Sequence, residues 1–404
     1  MLLAFCGLER ISSKYQIKTF NSISEKGLKR FPSDKYVLSD DLSPSDAILL
    51  RSHALQSVEM EAGIIAVARA GAGVNNVPVE ECSERGIVVF NTPGANANSV
   101  KELVLTALLI SARDIVGGIS YVRSLTPNLG ADELNQLVEK EKKLFKGHEL
   151  KDKKLGVVGL GAIGSMVARA GLDMGMQVVG FDPALSVEAA WRVPSEVRRK
   201  NTLGELFGES DFVSLHVPLI EETRGLVDKE VLLAAKRGAV VLNFAREPIV
   251  DSEAMVEALD NGAIGRYVSD FPVRELVGHD RVIFTPHLGA STSEAEENCA
   301  IMAADQLIDF LETGNITNSV NFPKVSMGTR RDVRLAVVNK NVPGMLGQIT
   351  SLLAAKNVNV ADLINKSREE LAYNLIDIEQ HPDDELLSGL RSLDNVMSVR
   401  VISD

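Results

Sequence analysis

The chain has 404 residues, enough for two or three domains with cores of their own, and at 45% hydrophobic and 24% charged it has the composition of a folded protein. A net charge of −12 argues against a general nucleic-acid surface, while leaving room for a local basic pocket that takes an anionic substrate. Cys6, Cys82 and Cys299 are scattered and give neither a disulfide framework nor a zinc spacing; no metal site is expected, and no stretch nears the ~20 apolar residues of a membrane-spanning helix. The N-terminus lacks the basic segment and long apolar run of a signal peptide, so the cytoplasm is the expected compartment.

In chain order, the apolar runs DAILLR (46–51), GIIAVARAG (63–71) and GIVVFNTPG (86–94) predict buried strands separated by polar, glycine-bearing turns. Residues 98–115 have the spacing and length of a helix, with Asn98 or Ser99 as its cap. The charged run 139–154 reads as a solvated approach to a new domain. Strands and helices then alternate: KLGVVGLG, a helix over 162–175, then the strands QVVGFDP, SDFVSLHVP, GAVVLNFAR, GRYVSD and RVIFTPH. That alternation predicts a parallel sheet covered by helices on both faces. A second long helix is predicted over 291–312. The two long helices bracket the central domain, which suggests a chain that leaves its first domain and later returns to it.

The expected organisation is an α/β protein. A discontinuous substrate-binding domain covers 1–97 and 287–318, with a dinucleotide-binding domain over 98–286 between them. A polar linker with Gly and Pro follows at 319–330, then a C-terminal module at 331–404. Within that module the pattern predicts strand 333–338, helix 343–356, strands 357–366 and 371–379, helix 383–393 and strand 397–402, the βαββαβ order of a ferredoxin-like unit.

Three sets of residues carry chemistry. GLGAIG (159–164) follows a strand and opens a helix. Gly159 permits the tight turn, Gly161 lets backbone approach a pyrophosphate, and Gly164 lets helix and strand pack closely. Asp182 ends the next strand. Its carboxylate can accept from ribose hydroxyls and would repel a 2′-phosphate, so NAD is expected rather than NADP. Arg246, Glu275 and His287 fall at or after successive strand ends: an arginine can grip a carboxylate through two hydrogen bonds, and a histidine backed by a carboxylate can move a proton near neutral pH. Separately, Arg51 and Ser52 end the strand DAILLRS, where they could hold a phosphate or be ordinary surface residues. Gly73 and Val74, in RAGAGVNN, could present backbone N–H groups to a carboxylate. His216, in SLHVP, follows a strand and could border the cofactor, whereas His53, His148, His279, His381 and Trp191 carry no partner pattern.

Taken together, RAGAGVNN, NTPGANANSVKEL, GLGAIG, SDFVSLHVP, NFAR, SDFPVRE and TPHLGAST resemble, in order, the D-isomer-specific 2-hydroxyacid dehydrogenase family over roughly residues 40–320. The resemblance implies a Rossmann-type NAD domain inserted in a flavodoxin-like substrate domain. It implies that Arg246 orients the substrate, and that His287 is the general acid/base with Glu275 as its partner. Ala162 and Ile163 would line the pyrophosphate, and Asp270 would lie near the nicotinamide carboxamide. Val217, Pro218, Phe244, Ala245, Gly289 and Ala290 would complete the cofactor surface beside His216.

Two further features resemble the members of the family that oxidise 3-phospho-D-glycerate: Arg51-Ser52, where those enzymes grip the phosphate, and a C-terminal unit similar to an ACT regulatory module. The resemblance then implies a homotetramer or dimer with L-serine as effector, bound through Asn339, Asn341 and Asn359. The chain departs from the family pattern at Asn75 (usually Asp), Glu247 (usually Gly) and Leu276 (usually Pro), and at Asn339, where some relatives carry His. Two alternatives stand beside this reading: a reductase of hydroxypyruvate, glyoxylate or 2-oxoglutarate, and a non-catalytic NAD-sensing protein.

Overall fold

A computed structural model describes residues 14–125, 129–330 and 332–403; Cys6 and the N-terminal segment weighed as a signal peptide lie outside them. The chain divides into two compact units, one formed by Met1–Asn96 with Ser293–Asp404 and one by Ala97–Thr292.

The first unit opens with β1 (Tyr15–Phe20), β2 (Tyr36–Ser39), β3 (Ala47–Leu50), β4 (Ala66–Arg69) and β5 (Val88–Phe90). They pair in parallel in the order β2-β1-β3-β4-β5, the flavodoxin-like arrangement. The central strands are apolar along their length because both faces are covered: every side chain of β3 is 0% exposed. Each such leucine stabilises the fold by about 1.5–3 kcal/mol.

The second unit is built on β6 (Lys154–Val158), β7 (Gln177–Phe181), β8 (Arg198–Arg199), β9 (Phe212–Leu215), β10 (Ala239–Asn243), β11 (Ile264–Ser269) and β12 (Val282–Phe284). The order β12-β11-β10-β9-β6-β7-β8, all parallel, reverses direction at β6, as in Rossmann sheets. The long helix entering this unit spans Ala97–Ala112, so Asn98 and Ser99 lie inside its first turn and neither precedes it as a cap. Ser99 is buried and donates instead to the Gly289 carbonyl at 2.8 Å. The charged run opens within the end of the helix Ala131–Glu141 and the short turn Lys142–Phe145 that follows it.

The chain re-enters the first unit at Ser293, later than the expected position 287, so His287 belongs to the same unit as Arg246 and Glu275. The helix Ser293–Thr313 packs over β3 and β4. The expected linker is only partly solvated, because alternate residues of it pack into the first unit. Asn321 accepts from the Val89 N–H and donates to the Ile87 carbonyl, and Phe322, Val325 and Met327 are buried in the first unit's core. Ser319 and Asn321 serve backbone groups at β5, while Lys324, Ser326 and Thr329, between the buried positions, are exposed.

The C-terminal module is β13 (Val333–Lys340), the helix Met345–Ala355, β14 (Val360–Arg368), β15 (Leu371–Ile378), the helix Asp384–Arg391 and β16 (Val396–Ile402). Its antiparallel order β14-β15-β13-β16 is ferredoxin-like. One sheet face packs on its own two helices. The other, with Ala336, Val338, Tyr373 and Leu375, shares a core with Phe90, Phe310 and Phe322. Three side chains of this module bind the carbonyl end of helix Ser293–Thr313. Arg400 donates to the Phe310 and Leu311 carbonyls, Tyr373 to Gly314, and Arg334 to Thr313 while also pairing with Asp377 in the core. A helix end leaves such carbonyls unpaired, and cations suit its partial negative charge.

Candidate functional site

In the second unit the residues singled out above gather at the carboxyl edge of the sheet, where ligands of open α/β folds bind. Gly159 follows β6 with φ +86°, and a Cβ there would lie 2.7 Å from the His216 carbonyl oxygen. A Cβ on Gly164 would lie 1.8 Å from the Gly159 oxygen, so that glycine is demanded by packing. Gly161 differs: a Cβ there would meet nothing within 4 Å. Protein packing does not require this glycine, and the space over it lies open at the N-terminus of helix Ala162–Asp173, where free N–H groups favour an anion.

Asp182 follows β7. Its Oδ2 accepts from the Leu160 N–H at 2.8 Å and its Oδ1 from the Ala184 N–H at 3.0 Å, which ties the glycine loop to the strand end and leaves lone pairs for hydroxyl donors. His216 follows β9, with Nε2 2.8 Å from the Ser214 hydroxyl and Nδ1 buried without a hydrogen-bond partner; burial pushes this imidazole down to about 3. Val217 packs beside Gly159, and Pro218 accepts from the Thr223 hydroxyl.

Phe244 and Ala245, after β10, are buried. Arg246 follows them and is half-buried, which lowers its pKa from the usual arginine value through desolvation; its Nη1 donates to the Ala245 carbonyl at 2.6 Å. Asn243, fully buried at the end of β10, donates to the Arg246 carbonyl and accepts from the Ala245 N–H, and its amide also reaches the Tyr267 hydroxyl. Asn243 therefore fixes the turn that carries the arginine. Sequence reasoning missed it, although an asparagine ending an otherwise apolar strand was the available signal.

Asp270, after β11, is buried and organises the next strand end. Its Oδ1 accepts from the Thr285 hydroxyl and the Leu288 N–H, its Oδ2 from the Gly289 N–H, and its carbonyl from the His287 N–H. His287 sits between these anchors with φ +56°, a left-handed conformation uncommon for a non-glycine residue. Its exposed ring lies 4.9 Å from the Phe271 ring. The structure does not make the expected Glu275–His287 contact. Glu275 is exposed, in a loop pinned by buried Leu276, and among the described residues no hydrogen bond or ion pair joins it to the imidazole. Gly289 is buried against Asp270 and Val100, and Ala290 is partly buried after it.

In the first unit, Arg51 and Ser52 follow β3, and Gly73 and Val74 lie in the loop after β4. Asn76 joins these two loops by donating to the Arg51 and His53 carbonyls, and Asn21 accepts from the Ser52 and His53 N–H groups. Arg69, not singled out in the sequence, ends β4 and donates through Nε to the Arg51 carbonyl at 3.0 Å.

In the C-terminal module, Asn339 is buried, donating to the Lys340 carbonyl and accepting from Asn374, so it is not displayed to a ligand. Asn341 and Asn359 are exposed but lie at opposite ends of the sheet. Asn341 follows the Lys340–Leu371 pair, and Asn359 precedes the Val360–Ile378 pair. One module does not bring these asparagines together.

Residues 121–289 match the family described as D-isomer specific 2-hydroxyacid dehydrogenase, NAD binding domain. Over 362 residues the chain is 31% identical to D-3-phosphoglycerate dehydrogenase of Haemophilus influenzae, covering 86% of this chain and 83% of the relative. The chain belongs to the D-isomer-specific 2-hydroxyacid dehydrogenases. A hydroxypyruvate reductase of Thermotoga maritima is 36% identical over 283 residues, 67% of this chain and 85% of that one. The NAD+-bound crystal structure of 3-phosphoglycerate dehydrogenase from Entamoeba histolytica aligns with a TM-score of 0.59 at 26% identity, over 76% of this chain and 99% of that one. This dehydrogenase uses NAD, in keeping with the open glycine loop and the acidic strand end. Among its described residues, no single helix is long and apolar enough to cross a membrane.

Proposed function

We propose that this dehydrogenase oxidises 3-phospho-D-glycerate to 3-phosphohydroxypyruvate, the entry step of phosphorylated L-serine biosynthesis. The observation that carries the choice of substrate is the pair of arginines at adjacent strand ends of the first unit, Arg51 and Arg69, joined by the bond from the Arg69 side chain to the Arg51 backbone. Two guanidinium groups suit a phosphate dianion. The similarity to the Haemophilus influenzae enzyme supports the same reading.

On this proposal, His287 accepts the substrate hydroxyl proton as C2 is oxidised, and Glu275 favours the imidazolium that results. Arg246 holds the carboxylate and keto oxygen, and the Gly73 and Val74 N–H groups supply further donors to the carboxylate. Bound NAD supplies hydride acceptance. Gly161, Ala162 and Ile163 would hold its pyrophosphate and Asp182 its ribose, with Asp270, His216, Val217, Pro218, Phe244, Ala245, Gly289 and Ala290 as its surroundings. Arg51, Ser52 and Arg69 anchor the phosphate, so that binding energy far from C2 helps to orient it.

The test is NADH oxidation with 3-phosphohydroxypyruvate compared with hydroxypyruvate, glyoxylate and 2-oxoglutarate. A specificity constant at least tenfold higher for the phosphorylated acid is expected; preference for an unphosphorylated acid overturns the reading. Hydroxypyruvate reduction is the specific rival, favoured by the similarity to the Thermotoga maritima enzyme.

The C-terminal module is proposed to be an ACT-type regulatory unit responsive to L-serine. Because Asn341 and Asn359 lie at opposite ends of one sheet, such a site needs residues from two copies, in a dimer or tetramer. Inhibition by millimolar L-serine is expected, and its absence would leave the module a different effector or a purely structural role.

A further inference from the structure

The phosphate-binding role proposed for Arg51 meets an obstacle inside the first unit. The Arg51 guanidinium is already held by a carboxylate, with Nη2 2.6 Å from Oε1 of Glu296. Glu296 lies in the first turn of helix Ser293–Thr313, which packs over β3 and β4, the two strands that end in Arg51 and Arg69. Arg69 is confined as well. A Cβ on Gly71 would lie 1.8 Å from its Nη1, so the glycine leaves the room that this guanidinium occupies. The three charges surround one small region: buried Cys299, one helical turn beyond Glu296, has its thiol pushed up mainly by burial and feels all three. Among the described residues, two guanidinium groups and one carboxylate thus meet here.

We infer that Glu296 is a specificity-determining residue that acts as a built-in competitor for Arg51, which a ligand must displace or oppose to use that guanidinium. The inference rests on the reading of Arg51 as the phosphate anchor. The contact is a single hydrogen bond between side chains 37% and 41% exposed, so it is weak enough to be exchanged. A phosphate dianion offers several acceptor oxygens and twice the charge of the glutamate, and so competes where a neutral hydroxymethyl group at the same place does not. Glu296 thus lowers the affinity for phosphorylated acids while keeping the arginine oriented and paired when no ligand is present.

The experiment compares Glu296→Gln and Arg51→Ala with the unaltered enzyme on 3-phosphohydroxypyruvate and hydroxypyruvate, across a range of ionic strength. Glu296→Gln keeps the side-chain shape and is expected to raise the ratio of specificity constants, phosphorylated over unphosphorylated, by roughly threefold or more. The KM for the phosphorylated acid should also become more salt-sensitive once the opposing carboxylate charge is removed. Glu296→Ala should shift the ratio the same way. An unchanged or lower ratio in both variants overturns the inference, since Glu296 would then be neutral or would position Arg51 for the phosphate. Arg51→Ala separates this failure from that of the underlying reading: equal losses on both substrates would remove Arg51 as the phosphate anchor, whereas a loss confined to the phosphorylated acid retains it.

Discussion

The carbonyl of Asp270 accepts the backbone N–H of His287 at 3.0 Å, and the carboxylate of the same residue accepts from Leu288 and Gly289 just beyond the imidazole. One buried residue thus holds the left-handed turn at the histidine from both sides, through its carbonyl before the imidazole and its carboxylate after it. In Asp270→Asn, an amide N–H would face one of these donors, and the lost bond to a charged acceptor should cost about 1.5–3 kcal/mol. A displaced imidazole should lower kcat by roughly tenfold to a hundredfold. Thermal unfolding and steady-state kinetics check both effects; unchanged turnover would mean that the loop keeps its shape without the carboxylate.

For the proton-transfer pair, His287→Ala should reduce kcat by about 100- to 10,000-fold with NAD affinity retained. Glu275→Gln is the more informative variant, because the two side chains are not bonded in this structure. A nearby carboxylate favours the charged imidazolium, so its removal should shift the acid limb of the kcat/KM profile to lower pH. A profile identical to that of the unaltered enzyme would remove Glu275 from the reaction.

The glycine loop offers a contrast between two alanine substitutions. At Gly161 a Cβ meets no protein atom within 4 Å, so Gly161→Ala should fold with an unchanged Tm and lose at least about tenfold in NAD affinity, measured by titration calorimetry. At Gly164 the Cβ would strike the Gly159 carbonyl, so Gly164→Ala should lower Tm and NAD affinity together. Full NAD affinity in Gly161→Ala would show that the pyrophosphate does not approach that backbone.

His216 makes stability depend on acid. Its imidazole is neutral in the fold, pushed down to about 3 by burial, whereas the unfolded chain takes up a proton near pH 6.5. Its contribution is complete above pH 6.5 and is lost progressively as the pH falls toward 3. Between pH 7 and pH 5 this amounts to about 2 kcal/mol. Urea unfolding at the two pH values should show this loss in the unaltered enzyme and not in His216→Gln. An equal loss in both would place the acid sensitivity elsewhere.

The legible parts of the sequence were those where one residue type meets a local demand. GLGAIG could be read because the glycine turn and the helix that follows are contiguous, and GAVVLNFAR because a strand buried on both faces is apolar throughout. The strand YQIKTF gave no such run, since only Ile17 among its residues is buried. The helices Ile115–Ser124 and Ala131–Glu141 have no buried residue, so no core-facing stripe announced them. Asn243 holds its own turn through residues 245 and 246 and was marked only by being polar at the end of an apolar strand, whereas Arg69 and Glu296 act through contacts between segments distant in the chain, which spacing does not encode. The segment 319–330 was misread for the same reason: Asn321 looks solvated until β5 is placed beside it.

The bonds from Arg334, Arg400 and Tyr373 to the end of helix Ser293–Thr313 bear on how this protein can be taken apart. A chain cut after residue 330 would leave the carbonyls of Phe310, Leu311, Thr313 and Gly314 without these donors, and would bare the core around Phe90, Phe310 and Phe322. The catalytic portion is thus not a portable part that can be freed from its C-terminal module by truncation. An exchange of that module for another would succeed only if the replacement brought equivalent donors for the same helix end.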